Sequence, residues 1–501
     1  MKMKRNLLAG LANSVWSVLI VLAAVPFYLK YLGVEAYGLI GFFITIQAVM
    51  SLLDMGMSPT INREVARCLA SGDIKEAGKL LHTLAVVYWC LAVVIALLIL
   101  VLAPLIAEYW LQPKQLSSQT ISHAVMLMGL VVACRWPIGL YHGALIGAQR
   151  LTVSSGINMI MVTIGSLGAV SVLAFVSPTI EAFFIWQACI GLVYAITIRI
   201  AAWRIIGKPQ QNKFDIDKLK SVWRFTAGMS GIALTALVFM QLDKIMLSNM
   251  LGLEEFGHYM LATIVVSGLY VLVSPVFNVI YPRMTVLVTV GNTEKLIDLY
   301  RLGTRMFASV IFPVAMVLAI FAKDLVFVWT GNMGIASSVA PIISLLAIGS
   351  ALHCVMYFPY AMQLAHGITR LPLTINAILL LFWVPLIIFF TLTHGALGGA
   401  MAWLVLHVFY VLLGIWMTHR SLLKGIGAKW LFQDVGIPLM LSIMVGQVSL
   451  YVAQDETYSI LVKLISASIL ALVVSALSIS MSPQLRTIVL NSLKKKKIAA
   501  A

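Results

Sequence analysis

The sequence predicts an all-α integral membrane protein with about 14 transmembrane helices. Of its 501 residues, 61% are hydrophobic and 10% are charged, which is more apolar surface than one water-soluble core can bury. Apolar runs of about 20 residues recur along the whole chain, and each is long enough to cross a hydrocarbon layer of about 30 Å. Membrane-crossing strands need only about ten alternating residues, so the longer, uniformly apolar runs favour helices.

Charged residues and segments rich in Gly, Pro or Asn divide the chain into these spans. The opening segment MKMKRN and the apolar run after it look like a secretory signal. That run is long for a signal core and no small-x-small cleavage site follows it, so we expect residues 13–32 to be a permanent first span. The predicted spans begin near Asn13, Tyr37, Thr83, His123, Val153, Ala182, Phe225, His258, Arg305, Val339, Leu373, Ala396, Asp434 and Ser459.

Two similar octets, YLGVEAYG at residues 31–38 and MLGLEEFG at residues 250–257, lie 219 positions apart. Neighbouring segments align at nearly the same offset, which indicates one structural plan that has been duplicated. Each copy holds six spans, so both copies enter the membrane from the same face and form parallel pseudo-repeats, with a substrate site expected between them. Within each octet, we expect the two glycines to permit a tight reversal and the Glu to serve as a charge at a helix N-terminus.

The repeat divides the chain into five predicted segments. An N-terminal six-helix lobe at 1–206 and a C-terminal six-helix lobe at 225–418 are joined by a basic cytoplasmic linker at 207–224. Helices 13 and 14, at 434–480, have no counterpart in the repeat. A basic cytoplasmic tail follows at 481–501.

The formal net charge is +16, with 34 Lys and Arg residues. A nucleic-acid-binding surface would concentrate these residues on one soluble face, whereas here they are spread over alternate loops. Placing the N-terminus in the cytoplasm puts about 28 of the 34 on that side, in agreement with the positive-inside rule. We therefore predict two cytoplasmic termini, no nucleic-acid partner, and contact between the C-terminal KKKK run and anionic membrane lipids.

Sequence signatures of catalysis are missing. The chain has no Walker-type phosphate loop, no HExxH or GxSxG motif, and five cysteines that stand singly. The longest far-side loop, residues 108–120, is too short for the extramembrane site that membrane enzymes acting on lipid-linked sugars generally need. We therefore predict a transporter rather than an enzyme, with no cofactor and no metal, driven by gradients, by the membrane potential or by the chemistry of its substrate.

Arg135 is the sharpest candidate for a functional charge, because it lies near the middle of span 4, away from the ends where a cation can reach the interface. His142 follows seven residues later, two helical turns away and on the same face. An offset of 218 residues aligns Arg135 with His353 in span 10, so we expect the two groups at matching depth and facing each other. A buried structural partner for Arg135 is the alternative.

Two further groups of charges are candidates for coupling or gating. Asp243 and Lys244 interrupt span 7. Because adjacent residues point about 100° apart on a helix, we expect that they do not simply neutralise each other and that one faces the cavity and the other a neighbouring helix. Asp54, near the end of span 2, and Arg63, just beyond it, are expected to form either a pair at the cytoplasmic mouth or a structural lock at the interface.

Several segments together resemble the bacterial O-antigen and polysaccharide repeat-unit flippases. These belong to the polysaccharide transporter family of the multidrug/oligosaccharidyl-lipid/polysaccharide exporter superfamily. The segments are PFYLKYLGVEAYGLIGFF, LLDMGMSPTINREVAR and SGDIKEAGKLL in the first half, and QLDKIMLSNMLGLEEFGHY and GALGGAMAW in the second.

The resemblance implies a function in the bacterial inner membrane, in the biosynthesis of surface polysaccharide such as lipopolysaccharide. Members move an undecaprenyl-diphosphate-linked oligosaccharide from the cytoplasmic to the periplasmic leaflet by alternating access, through a cationic cavity. Here Arg135, Lys244, His353 and His142 would supply that cavity. A polysaccharide polymerase and a chain-length regulator are the partner proteins that the resemblance implies.

Other functions stay open at this point. A drug/cation antiporter of the same superfamily is expected to hold carboxylates deep in its first half, and span 1 has none. A peptidoglycan-precursor flippase shares the fold. A scaffold of the biosynthetic complex that does not itself transport is a further alternative.

Overall fold

The computed structural model describes residues 2–54, 57–207, 215, 234, 237–454 and 458–480. Within these ranges the chain consists of helices joined by short turns, 3₁₀ segments and π segments, and Gln112 and Gly252 form one isolated parallel bridge. The first helices are α1 (Lys2–Met50), α2 (Met57–Ser71), α3 (Ile74–Leu105), α4 (Ser118–Gly147), α5 (Leu151–Phe175), α6 (Ile180–Ile206) and α7 (residues 237–250).

The second half of the chain continues the same all-helical pattern, with short breaks inside several spans. Its helices are α8 (Leu253–Ser267), α9 (Val273–Thr289), α10 (Thr293–Ile320), α11 (Ala322–Thr330), α12 (Met333–Val355), α13 (Tyr357–Ala365), α14 (Arg370–Leu422), α15 (Gly427–Lys429), α16 (Ile437–Gln454) and α17 (Ile460–Ser480).

The helices confirm the predicted fold class. Ten helical stretches of the described chain are long and apolar enough to cross a membrane. Two of them, α1 and α14, each contain two spans, and α17 holds a further apolar helix, so the described chain comes close to the predicted number of about 14. The protein is therefore an all-α, multi-pass membrane protein.

The double spans reverse at a single glycine instead of a loop. Gly33 in α1 has φ 79° and ψ 173°, and Gly395 in α14 has φ 57° and ψ −136°. Both φ values lie in the region that side chains with a Cβ rarely adopt. The prediction of a tight reversal is therefore correct for Gly33.

The chain divides into two compact units, residues 1–257 and 258–501. Helix α7 clusters with the first unit, although the repeat predicts it as the first helix of the second lobe. The lobe boundaries at 1–206 and 225–418 stay a prediction. The tail at 481–501 and most of the linker at 207–224 lie outside the described residues.

Within the second unit, an ionic cluster fixes the helices that have no counterpart in the repeat. Asp434, in the π segment Trp430–Gly436 before α16, is fully buried. Its carboxylate accepts a hydrogen bond from Arg301 Nε at 2.7 Å and one from Arg305 Nε at 3.0 Å, both on α10. Helices α16 and α17 also pack against α10 and against each other. The extra helices are therefore joined to α10 through charge as well as apolar contact.

Inside the first unit, the two octets meet in a reciprocal contact. A Cβ added at Gly38 would lie 2.3 Å from the carbonyl oxygen of Leu253, and one added at Gly257 would lie 2.6 Å from the carbonyl oxygen of Val34. The 219-residue offset exchanges these two pairs of positions, so the contact has two-fold pseudosymmetry. Gly38 therefore permits the close approach of the Leu253 backbone to α1, and the prediction that Gly38 serves the reversal is wrong.

The loop between α3 and α4 binds both octets. Glu35 is buried, and its carboxylate accepts backbone N–H groups from Lys114 at 2.7 Å, Gln115 at 3.0 Å and Leu116 at 3.4 Å. From the second octet, the amide of Leu253 donates to the carbonyl of Gln112 at 3.0 Å. Glu35 lies at the start of a helical stretch, as predicted, and it also anchors this loop.

We predict that Gly38→Ala and Gly257→Ala each lower the thermal unfolding midpoint of the purified protein. The added methyl group would overlap a backbone oxygen, and overpacking of this kind typically costs about 1–3 kcal/mol. Gly156→Ala in α5 is the matched control, since a Cβ there meets nothing within 4 Å. Equal midpoints for Gly38→Ala and Gly156→Ala would show that the close approach is not required.

We predict that Asp434→Asn lowers the unfolding midpoint, because it leaves Arg301 and Arg305 without their buried carboxylate. Removing one partner of a buried ion pair costs about 3 kcal/mol or more. The control is Gln433→Ala, because Gln433 is exposed and accepts one hydrogen bond, from Arg301 Nη2 at 2.9 Å. A midpoint for Asp434→Asn that matches the Gln433→Ala value would contradict the assignment of this cluster as the anchor.

Candidate functional site

A cavity of about 820 Å³ lies within the first unit. Its walls come from α1, the 3₁₀ turn Ser51–Asp54, and helices α2 to α6, so all of the first six spans contribute. Three of the predicted site residues line it. They are Arg135, His142 and Asp54.

Helix α6 positions the Arg135 side chain. Arg135 Nη2 donates a hydrogen bond to Gln187 Oε1 at 2.5 Å. One turn further along α6, Gly191 leaves room for the stem of the arginine, since a Cβ there would lie 3.0 Å from Arg135 Cγ. The guanidinium carbon also lies 5.7 Å from the centroid of the Phe43 ring on α1, which is within the range of a cation–π contact.

The contacts shown for Arg135 are with neutral groups, so they orient the guanidinium without cancelling its charge. A guanidinium carries five N–H donors in a planar fork, and the hydrogen bond to Gln187 occupies one of them. The fork can therefore still bind two oxygens of a phosphate or carboxylate that enters the cavity. Chemically, the site is suited to an anion.

Asp54 and His142 line the same cavity but are engaged by neighbouring hydroxyl groups. Asp54 Oδ1 accepts a short hydrogen bond from the Tyr88 hydroxyl, and Oδ2 accepts the backbone N–H of Ser58 at 3.2 Å. His142 Nδ1 makes a short hydrogen bond with Ser154 Oγ. Asp54 thus ends span 2 in a hydrogen-bonded turn at the cavity wall.

Arg63 is exposed on α2, nine residues after Asp54. It is not among the described residues that line the cavity. An ion pair between Asp54 and Arg63 stays a prediction.

The cavity wall contains a network of hydrogen-bonded polar side chains that was not predicted from the sequence. Asn158 on α5 donates to Asn13 Oδ1 at 2.7 Å and to Ser17 Oγ at 3.3 Å. The Tyr194 hydroxyl donates to Asn158 Oδ1 at 2.9 Å. The sequence could have indicated this network through amide side chains inside apolar spans, such as Asn158 and Gln187. An amide at membrane depth is costly unless it is hydrogen-bonded.

Lys244 and Asp243 form a pair, contrary to the expectation from helix geometry. Lys244 Nζ lies 3.1 Å from both carboxylate oxygens of Asp243 and 2.9 Å from the carbonyl oxygen of Met240. The four-carbon stem of the lysine curls back, so the ammonium group reaches its neighbour although the two Cβ atoms diverge. Lys244 is not among the described residues that line the 820 Å³ cavity.

His353, in the second unit, is packed among aromatic rings. The Tyr270 hydroxyl and His353 Nδ1 form a hydrogen bond of 2.9 Å, and the His353 and His407 ring centroids are 4.7 Å apart. Tyr357 and Trp403 also contact the His353 ring. Its surroundings therefore differ from those of Arg135, its counterpart in the repeat, and the expected juxtaposition of the two stays a prediction.

Comparison with known proteins supports a common origin over most of the chain. A family model described as polysaccharide biosynthesis protein matches residues 30–333. The chain is 22% identical over 425 residues to a protein of Shigella flexneri named as an O-antigen transporter, covering 81% of this chain and 97% of the relative. It is 21% identical over 441 residues to a succinoglycan biosynthesis transport protein of Rhizobium meliloti (strain 1021), covering 83% of this chain and 82% of the relative.

Solved structures of low sequence identity share the fold. Lipid II flippase MurJ in an inward closed conformation matches with a TM-score of 0.69 at 14% identity, covering 94% of this chain and 98% of that structure. An inward-facing multidrug resistance MATE family transporter of the MOP superfamily matches with a TM-score of 0.65 at 15% identity, covering 81% and 94%. The predicted resemblance to the O-antigen and polysaccharide flippases is confirmed. Since the family model spans more than half of the sequence, the chain belongs to the polysaccharide biosynthesis protein family.

Proposed function

We propose that this protein is a flippase for undecaprenyl-diphosphate-linked oligosaccharide repeat units. It carries them from the cytoplasmic to the periplasmic leaflet of the bacterial inner membrane by alternating access. The observation that carries the proposal is Arg135, held by neutral partners at a cavity of about 820 Å³ among the first six spans. The relatives named as transporters of O-antigen and of succinoglycan biosynthesis support this class of cargo.

The chemistry of the cargo fits the site. A lipid-linked diphosphate must leave the water around the headgroups and enter a region of low dielectric constant, where a guanidinium fork matched to phosphate oxygens offsets the lost hydration. Neutral hydrogen-bonding groups on the same wall, among them Asn158 and Tyr194, can pair with sugar hydroxyls. The cavity thus offers one charge for the diphosphate and several neutral groups for the glycan.

The driving force includes the membrane potential. With both termini in the cytoplasm, as the distribution of Lys and Arg indicates, export moves a negatively charged cargo out of a negative interior. This releases about 2.3 kcal/mol per charge for each 100 mV. The paired Asp243 and Lys244, or His353, can add coupling to a proton or sodium ion on the return of the empty carrier. Flipping in proteoliposomes that is indifferent to imposed pH and sodium gradients would rule out this ion coupling.

Deletion of the gene distinguishes a repeat-unit flippase from a peptidoglycan-precursor flippase. For a repeat-unit flippase we expect viable cells that lose surface polysaccharide and accumulate the lipid-linked repeat unit on the inner leaflet. Lethality with accumulation of peptidoglycan precursor would instead identify a precursor flippase. Periplasmic polymerase and chain-length regulator proteins are the partners that would use the flipped product.

We predict that Arg135→Ala lowers surface polysaccharide by about tenfold or more, since a charge-assisted hydrogen bond to the cargo contributes about 1.5–3 kcal/mol. Arg135→Lys retains part of the export, because the charge remains although the planar fork is lost. Arg150→Ala, at an exposed position after α4, is the control. Unchanged polymer amount and length in a well-expressed Arg135→Ala protein would overturn the assignment of this site.

We predict that Gln187→Glu impairs export more than Gln187→Ala does. A carboxylate at position 187 would lie within hydrogen-bonding distance of Arg135 and neutralise it, whereas alanine removes the orienting amide and leaves the positive charge available. Polysaccharide per cell is measured for both variants and normalised to the amount of membrane protein. Equal export by the two variants would show that the charge of Arg135 does not act on the cargo.

A further inference from the structure

A second cavity, of about 560 Å³, opens on the second unit where α14 ends. One wall is the last part of α14, and the other is the segment that turns back through α15 into the π segment Trp430–Gly436. The last part of α14 belongs to a membrane span, so the groove extends from the end of that span along its apolar side. It is separate from the cavity proposed for the cargo.

The mouth of this groove is cationic. Arg420 and Lys424 both line it and are both exposed, and none of the described residues that line it is acidic. The nearby Asp434 is fully buried and bound to arginines of α10. His419 is turned inward, with Nε2 bonded to the Tyr300 hydroxyl at 3.1 Å and Nδ1 to the Ile415 carbonyl at 3.0 Å. An anion at the mouth would therefore meet two cations.

The walls of the groove are apolar and aromatic. Trp416 is 58% exposed and Phe432 is 70% exposed, and with Leu412 they form a surface along which a hydrocarbon chain can lie. The Arg420 guanidinium lies 5.6 Å from the Trp416 ring centroid, so the indole holds the arginine at the mouth. Tryptophan next to a basic residue at the end of a span is typical of the membrane interface, where headgroup and acyl chain meet.

We propose that this groove binds an anionic phospholipid. The lipid phosphate contacts Arg420 and Lys424, and one acyl chain lies along Trp416, Leu412 and Phe432. A charged mouth above an apolar wall matches a molecule that has a phosphate at one end and hydrocarbon at the other. On the proposed topology the mouth faces the cytoplasmic leaflet, whose anionic lipids are the available source.

The first unit contains a related groove at the equivalent place. A cavity of about 610 Å³ at the end of α6 is lined by Arg199 and Trp203, together with apolar residues of α3. An offset of 217 residues places Arg199 on Trp416 and Trp203 on Arg420, so the same pair occurs with its order reversed. Each half of the chain therefore has an arginine and a tryptophan in the last turns of its sixth span, and both residues line a groove there.

The test measures lipid contact at Trp416 by fluorescence quenching in the full-length protein. The protein is placed in bilayers of phosphatidylcholine that contain brominated phosphatidylglycerol or, in parallel, brominated phosphatidylcholine. The difference between wild type and Trp416→Phe gives the quenching of Trp416 alone. We expect brominated phosphatidylglycerol to quench Trp416 at a lower mole fraction than brominated phosphatidylcholine does. Equal quenching by both lipids would overturn the proposal.

Matched variants locate the binding groups. Arg420→Gln and Lys424→Gln each lower the preference for phosphatidylglycerol, by roughly fivefold for each cation removed. Lys295→Gln, at an exposed lysine that does not line the groove, leaves the preference unchanged. Ala428→Phe fills the groove without adding a tryptophan, so quenching of Trp416 by the brominated acyl chain falls although both cations remain. A phosphatidylglycerol preference that survives loss of both cations would refute the assignment.

Two alternative occupants of the groove, a free phosphate and a second copy of the protein, would give different results in these assays. If inorganic phosphate abolishes the preference for phosphatidylglycerol while Ala428→Phe has no effect, the site binds a free phosphate and the lipid proposal is wrong. If Trp416 is shielded from both lipids and the protein cross-links as a dimer through this face, the groove is a protein interface and the proposal is also wrong. Neither outcome bears on cargo binding at Arg135, so this test and the export assays fail independently.

Discussion

The positive charge of Arg135 constrains the first unit more than any other single group. A guanidinium halfway along a membrane span is costly unless it is solvated or paired. The neighbouring groups shown are a neutral amide and an aromatic ring, which orient the charge but do not cancel it. Much of the solvation must then come from the cavity of about 820 Å³, so the arginine and the cavity depend on each other.

The duplicated plan has led to two different interiors. Arg135 and His353 occupy equivalent positions in the repeat, yet the first lies at a cavity of about 820 Å³ and the second lies among Tyr270, Tyr357, Trp403 and His407. A packed aromatic cluster is a rigid element, whereas a cavity is a place for a ligand. On the proposed function, the charge of the cargo is bound by the first unit, and the second unit contributes packing and one coupling candidate, His353.

The apolar spans, their number and the position of Arg135 could be predicted from the sequence, because length, composition and an isolated charge are local properties. Gln187 and Gly191 could not be identified as partners of Arg135, since nothing local in the sequence shows that these residues, more than fifty positions away on another helix, meet that side chain. The pairing of Asp243 with Lys244 was missed because the direction of a Cβ does not fix the position of a nitrogen four carbons further out. Gly38 was misassigned for a related reason, since a glycine needed for close approach and one needed for a reversal look the same in a sequence.

On the proposed function, a charged group and a set of neutral groups recognise different parts of the cargo. All substrates of the proposed class share a diphosphate on a polyprenyl chain, and a single guanidinium can bind that common part whatever sugars are attached. The sugars differ in the number and direction of their hydroxyl groups, and these can be distinguished only by neutral donors and acceptors at fixed positions. Asn158 is fixed in this way, since it is bonded to Asn13 and Tyr194 on two other helices. On the proposed function, Arg135 would set the affinity for lipid-linked diphosphates as a class, and selectivity among glycans would depend on the amide and hydroxyl groups of the surrounding wall.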